Sequence, residues 1–232
     1  MAFKIRKNPE KIAVVGTGAG WELLPLQSDH VLYCLNDFIF MDKYQVSPDV
    51  LFIMDILDEK PKIVSGVDNL GEVVDKINKM DIPLVAPYKY LEIPKSEAFP
   101  LEEVEKTFGR GVMYFSNTIA FMICYALLKG AKEIELFGVN QAGSHEYHEE
   151  RGSVEFWLGI AIGLGVKVTI NGKDSQLLQH KGRWGRNVLY GFNTDYESYL
   201  KDRARFGEGM VHRLSAPTPQ YSRTARRINH ES

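Results

Sequence analysis

Apolar residues fall in short runs broken by polar or glycine-rich turns, and the runs alternate with segments of helical spacing. Lys11–Val15 ends in Gly-Thr-Gly-Ala-Gly at 16–20, the pattern of a buried strand and its turn. Val31–Leu35 reads as a second strand closing on Asn36-Asp37, and Val50–Met54 as a third closing on Asp55. Leu70, Val73, Val74, Ile77 and Met80 repeat at helical intervals, and Pro83–Ala86 is a fourth strand. Pro87, Pro94 and Pro100 make Pro87–Arg110 irregular, with room for a lid or insertion. Ser116–Lys129 is apolar on nearly every side, which predicts a buried helix stopped by Gly130. Glu133–Phe137 is a fifth strand ending at Gly138, and Gly143–Arg151 reads as a polar loop. Ser153–Leu164 is a further helix with Ser153 as N-cap, and Val166–Ile170 is the sixth strand.

Short apolar strands alternating with helices predict an α/β, Rossmann-like fold: a mostly parallel sheet with helices on both faces. Ligands of such sheets bind beyond the carboxyl ends of the strands. That rule selects Gly16–Gly20, Asn36-Asp37, Asp55, Pro87-Tyr88 and Asn140–Glu150, which should converge on one rim.

A chain of 232 residues with 44% hydrophobic and 25% charged residues can bury a core without staples. We expect one Rossmann-like catalytic domain over 1–214, with 87–110 as a lid or insertion, and a flexible basic tail over 215–232. Cys34 and Cys124 both lie in apolar segments, so a disulfide framework is not indicated and a reducing, cytoplasmic setting is expected. Lys4, Arg6, Lys7 and Lys11 precede no apolar stretch of signal-peptide length, and Ile119–Leu128 is too short to span a bilayer. Residues 173–232 hold eleven Lys and Arg against six Asp and Glu, so the first 172 carry −7 within the chain's net −2. This asymmetry suits either an anionic partner or a solvated tail.

Four motifs carry candidate chemistry. Gly16-Thr17-Gly18-Ala19-Gly20-Trp21 would let backbone N–H groups approach a phosphate, although Trp21 stands where a dinucleotide fingerprint has its third glycine, and no Gly-Lys-Ser/Thr follows. Asp37 lies about twenty residues beyond the glycine turn, where an acidic side chain commonly holds a ribose hydroxyl. An Asn-Asp turn explains Asn36-Asp37 equally well. Ser116-Asn117-Thr118 has capping residue types at the start of the buried helix, and the cluster can also face a phosphate or base. In Ser144–Glu150, His145 and His148 sit among three carboxylates; a metal or a general base is open to them, and a charged surface loop is the plain alternative.

These stretches resemble the bacterial lipooligosaccharide sialyltransferases and the Rossmann-like uncharacterised family near them, which includes an archaeal hydroxymethylpterin pyrophosphokinase. The resemblance rests on Val15–Gly18, Cys34–Phe40 with Asp42-Lys43-Tyr44, and Ser116–Thr118 followed by Ala126–Asn140. It implies donor contacts at Gly16, Thr17, Asn36, Ser116 and Asn117, with Gly18, Asp37, Thr118 and Asn140 on the same rim. The sequence departs at Thr17, where the family has Asn or Gly, and at Asn140, where it has Asp; the family's later catalytic region has no match. Glu149–Val168 and Asn187–Phe192 look like bacteriophage members.

The resulting expectation is a glycosyltransferase using a UDP- or CMP-linked sugar, with metal dependence open. The acceptor hydroxyl must lose a proton, and His145, His148, Asp55 and Glu149 are the candidate bases, in that order. A modified base in bacteriophage DNA is one acceptor that the basic C-terminal part would suit, with Arg183, Trp184 and Arg186 as its contacts. A pterin or nucleotide pyrophosphokinase and a non-catalytic nucleotide-binding module remain alternatives on the same fold.

Overall fold

The computed structural model describes residues 7–25, 28–36, 38, 47–55, 70–141, 145–172 and 174–178. All belong to the unit Met1–Leu178. Among the described residues there are seven strands: β1 (Asn8–Val15), β2 (His30–Leu35), β3 (Val50–Phe52), β4 (Leu84–Ala86), β5 (Ser96–Ala98), β6 (Glu133–Phe137) and β7 (Lys167–Asn171). Their order is β5-β4-β3-β2-β1-β6-β7, and every pairing is parallel. The described α-helices are α1 (Leu70–Met80), α2 (Leu101–Phe108), α3 (Thr118–Leu128) and α4 (His145–Gly163). This is the expected α/β, Rossmann-like arrangement.

Because side chains alternate along a strand, the inner strands feed two cores. Ile12 and Val14 of β1 and Ile134 and Leu136 of β6 join the large cluster that holds α3, α4 and Val104 of α2. Ala13, Val15 and Phe137 turn to the other face with Leu32 and Cys34. On that second face Leu51, Ile53, Leu84 and Ala86 meet Val73 and Ile77 of α1. A sheet buried on both faces needs apolar residues at successive positions, and the near-continuous runs of the sequence supply them.

Helix α3 is buried as expected, with Ile119, Ala120 and the whole stretch Met122–Ala126 inaccessible. Its end follows from Gly130, whose φ of 79° permits a left-handed cap. The Gly130 amide then donates to Leu127 O, and the Ala131 amide to Ala126 O. Cys34 and Cys124 are free and buried, and burial pushes both thiols up, so neither is poised as a nucleophile. Among the described residues no helix is long and apolar enough to cross a membrane.

Three readings need correction. Pro87–Arg110 is not irregular throughout, since it carries β5 and α2. Strand β5, Ser-Glu-Ala, has no apolar run to announce it. It is held by parallel pairing to β4 and by Ser96, whose hydroxyl bonds both backbone groups of Tyr90. Gly143–Arg151 is not a loop as a whole, because α4 already begins at His145. Ser153 is therefore no N-cap: it is buried within α4, and its hydroxyl donates back to Glu150 O at 3.0 Å.

Trp157 of α4, which is wholly inaccessible, packs against α2 and the segment leading into α3. Its ring stacks on Phe115 at 5.0 Å, meets Phe108 edge-on at 5.3 Å, and its indole N–H donates to Tyr114 O at 2.9 Å. Trp157→Ala removes the apolar contacts and leaves a cavity. Urea denaturation should register a loss of about 3–5 kcal/mol.

Candidate functional site

The strand order defines the site before any side chain is considered. From β1 the chain steps outward through β2, β3, β4 and β5, then returns to lay β6 on the other flank of β1. The order reverses between β1 and β6, and their carboxyl ends diverge there, which is where open α/β sheets hold ligands. A cleft of about 400 Å³ lies at that point. It is lined by Gly16–Gly18 after β1, Asn36 after β2, Asp55 after β3, Ser116–Ile119 at the start of α3, Gly138–Gln141 after β6, and Glu150 of α4. The expected convergence of strand-end segments on one rim is therefore met for these residues.

The glycine turn does a different job from the one its sequence suggests. The Gly16 amide donates to Phe137 O at 2.8 Å and the Gly18 amide to Gly138 O at 2.9 Å. Both donors are thus engaged across the sheet rather than free for an anion. A Cβ at Gly16 would stand 2.5 Å from Gly138 O, and one at Gly18 2.8 Å from the same atom. Gly138, at φ 64°, would in turn drive a Cβ to 2.7 Å from Gly16 O. These glycines let two turns lie backbone against backbone. Nor does an α-helix follow the turn: residues 21–23 form one 3-10 turn, which lacks the aligned dipole of a long helix.

Anion-binding capacity sits instead at α3. Asn117 caps this helix, its side-chain oxygen accepting from the Ala120 amide at 3.0 Å. Thr118 and Ile119, which line the cleft, supply the first-turn amides that have no partner within a helix. This terminus is braced by α4. The Ser116 and Ser153 hydroxyls lie 2.6 Å apart, both within reach of Glu150 O, and the Asn117 amide group donates to the Glu150 carboxylate at 3.3 Å.

The opposite wall is rich in acceptors. Asn36 donates through Nδ2 to Asp55 at 2.8 Å, which fixes the amide and turns its oxygen away. The side-chain oxygens of Asn36, Asn140 and Gln141 are all buried and lack a hydrogen-bond partner. Buried oxygens left in this way are costly, and they define what completes them: the O–H or N–H hydrogens of a ligand. The cleft thus offers helix-terminal amides for an anion and a set of oxygens for hydroxyl or amine donors.

Of the sequence-selected residues, Gly16, Thr17, Gly18, Asn36, Asp55, Ser116, Asn117, Thr118 and Asn140 all line the cleft. Asp55 is exposed. His145, His148 and Glu149 belong to the first turns of α4, but their side chains lie outside the described residues, as do Asp37, Arg183, Trp184 and Arg186. Glu150 and Gln141 were missed as individual residues. Glu150 was hidden at the end of a polar run, and Gln141 is placed by a left-handed backbone, φ 49°, that the sequence does not announce.

No family model matches the sequence, and no curated protein matches it. Solved structures do. The sialyltransferase CstII from Campylobacter jejuni, in complex with CMP-3FNeuAc, is 16% identical over 83% of this chain and 98% of that one, with a TM-score of 0.50. The same enzyme with cytidine-5'-monophosphate gives 16%, 83%, 99% and 0.48. The monofunctional α-2,3-sialyltransferase Cst-I of the same organism gives 15%, 89%, 98% and 0.48. The chain remotely resembles these sialyltransferases in its Rossmann-like fold.

The turn-on-turn contact has a measurable signature. Gly138→Ala, with a Cβ forced against Gly16 O in left-handed backbone, should lower stability by about 1–3 kcal/mol in thermal or urea unfolding. Gly18→Val should do likewise. Were the turn instead a phosphate approach, Gly18→Val would lose nucleotide and keep its fold, so unfolding and nucleotide titration together separate the two accounts.

Proposed function

We propose that the protein is a glycosyltransferase that moves a sugar from a nucleotide-sugar, CMP-linked, to an acceptor hydroxyl. The cleft at the β1/β6 switch point carries this reading. It brings helix-terminal amides and unpartnered oxygens together at the place where this fold holds ligands. The fold likeness to a sialyltransferase in complex with CMP-3FNeuAc supports the cytidine donor over the uridine one.

In this reading the Thr118 and Ile119 amides receive the phosphate and stabilise charge on the departing nucleotide. Asn36, Asn140 and Gln141 accept from ribose hydroxyls and the exocyclic amine of the base. Asp55 holds Asn36 in that orientation. The general base comes from the first turns of α4, His145 or His148, with Asp55 and Glu149 behind them. The acceptor supplies the hydroxyl. If it is DNA, binding through Arg183, Trp184 and Arg186 falls steeply with salt.

Calorimetric titration should show CMP and a CMP-sugar binding, UMP more weakly, and Asn36→Ala weakening CMP at least tenfold without unfolding the protein. In a transfer assay, His145→Ala or His148→Ala should cut turnover by about a hundredfold at nearly constant donor affinity, and remove the acidic limb of the pH–rate profile. Binding without transfer or hydrolysis of any sugar-nucleotide would mark a binding module instead. ATP-dependent release of AMP would mark a pyrophosphokinase.

A further inference from the structure

A second polar cluster lies at the opposite end of the sheet, where the strands begin. His30 opens β2 and Glu133 opens β6, with Glu135 two residues further along the same face. One ligand atom from each of these three side chains lies within 4.8 Å of the others. We infer that His30, Glu133 and Glu135 form a binding site for one divalent first-row metal ion, zinc-like in its donor set.

The imidazole carries the argument. Its Nδ1 lies 2.7 Å from the Ser28 hydroxyl and 3.4 Å from an Asp29 carboxylate oxygen, and the carboxylate only accepts. With the ring proton on Nδ1, donated toward these acceptors, Nε2 presents a lone pair. That Nε2 is buried, has no hydrogen-bond partner, and faces the Glu135 carboxylate at 3.9 Å. A lone pair set against a carboxylate away from water is repulsive unless a cation lies between them. An Nδ1–H anchored on a carboxylate or hydroxyl is the arrangement that fixes a metal-binding histidine.

The charges agree. Lys11 pairs with Asp29 at 3.1 Å and Lys167 with Glu133 at 2.6 Å, while Glu135 makes no direct ion pair with lysine or arginine among the described residues and feels Lys167 only through space. The lysine contact is made with one oxygen of Glu133, and a carboxylate has a second. One imidazole and two carboxylates suit Zn²⁺ or Mn²⁺ at bond lengths of about 2.0–2.2 Å, so the ligand atoms need to close by about 1 Å. The ion would tie β2 to β6 across β1, at the end of the sheet remote from the cleft.

The test uses the full chain stripped with EDTA and titrated calorimetrically with Zn²⁺, then with Mn²⁺. One equivalent should bind and raise the melting temperature. His30→Gln and Glu135→Gln, each checked for folding by circular dichroism, should weaken the zinc affinity at least tenfold. A His145→Ala/His148→Ala double variant should retain it. Failure of the folded wild-type protein to bind either ion overturns the site. Unchanged zinc binding in folded His30→Gln also overturns it. Loss of CMP binding leaves this result untouched, because the two sites share no residue.

Discussion

Everything at the rim depends on one backbone contact: the turn after β1 lying directly on the turn after β6. Two amide-to-carbonyl bonds, Gly16 to Phe137 and Gly18 to Gly138, extend the β1/β6 pairing beyond the end of the strands. No side chain fits between them. The divergence of the two connections beyond this contact opens the cleft, and the absence of side chains sets its floor low. Thr17 and Asn140 flank the closure and thereby face the cavity. A glycine run conventionally associated with phosphate here acts one step earlier, by shaping the place where the ligand goes.

A second constraint aligns the helix that faces this floor. The first turn of α3 is fixed by its own cap and by a cross-link to α4 through two serine hydroxyls, one backbone carbonyl and one carboxylate. Every member is within hydrogen-bond reach of another, so the network holds geometry without leaving a buried group unmet. The stacked Phe115 and Trp157 rings stiffen the same junction from the apolar side. Amides that are held still before a ligand arrives need little reorganisation when it does.

Much of this was legible in the chain, for identifiable reasons. Strands buried on two faces leave solid apolar runs, so β1, β2, β3, β4, β6 and β7 could be read to within a few residues. Helix α1 was legible from its periodicity and α3 from its uniform apolarity. Strand β5 could not be read, because Ser96, Glu97 and Ala98 owe their conformation to β4 and Tyr90 rather than to local pattern. The start of α4 was misplaced because a polar first turn, His-Glu-Tyr-His, looks like a loop until its packing partner is known. The roles of the glycines were hidden for a related reason. A phosphate approach and a backbone approach both exclude Cβ, and only the position of Gly138 distinguishes them. Asp55 was found by topology alone, since the rule about strand ends needs no motif, and the same rule selected Asn36 and Asn140 alongside the family resemblance.

The placement of β1 at the reversal of strand order has a consequence for how the molecule comes into being. Val15 pairs with Cys34 early in the chain, but its other neighbour, Phe137, is made much later. During synthesis the half-sheet from β1 to β5 must wait with a bare apolar edge, since domains acquire their non-local pairings only when the later segment emerges. The cleft cannot exist in that half-made state, because its floor is the contact between the two ends of that wait. Ligand competence therefore appears in a single late step, when β6 docks, and an emerging chain cannot trap a nucleotide in an incomplete site.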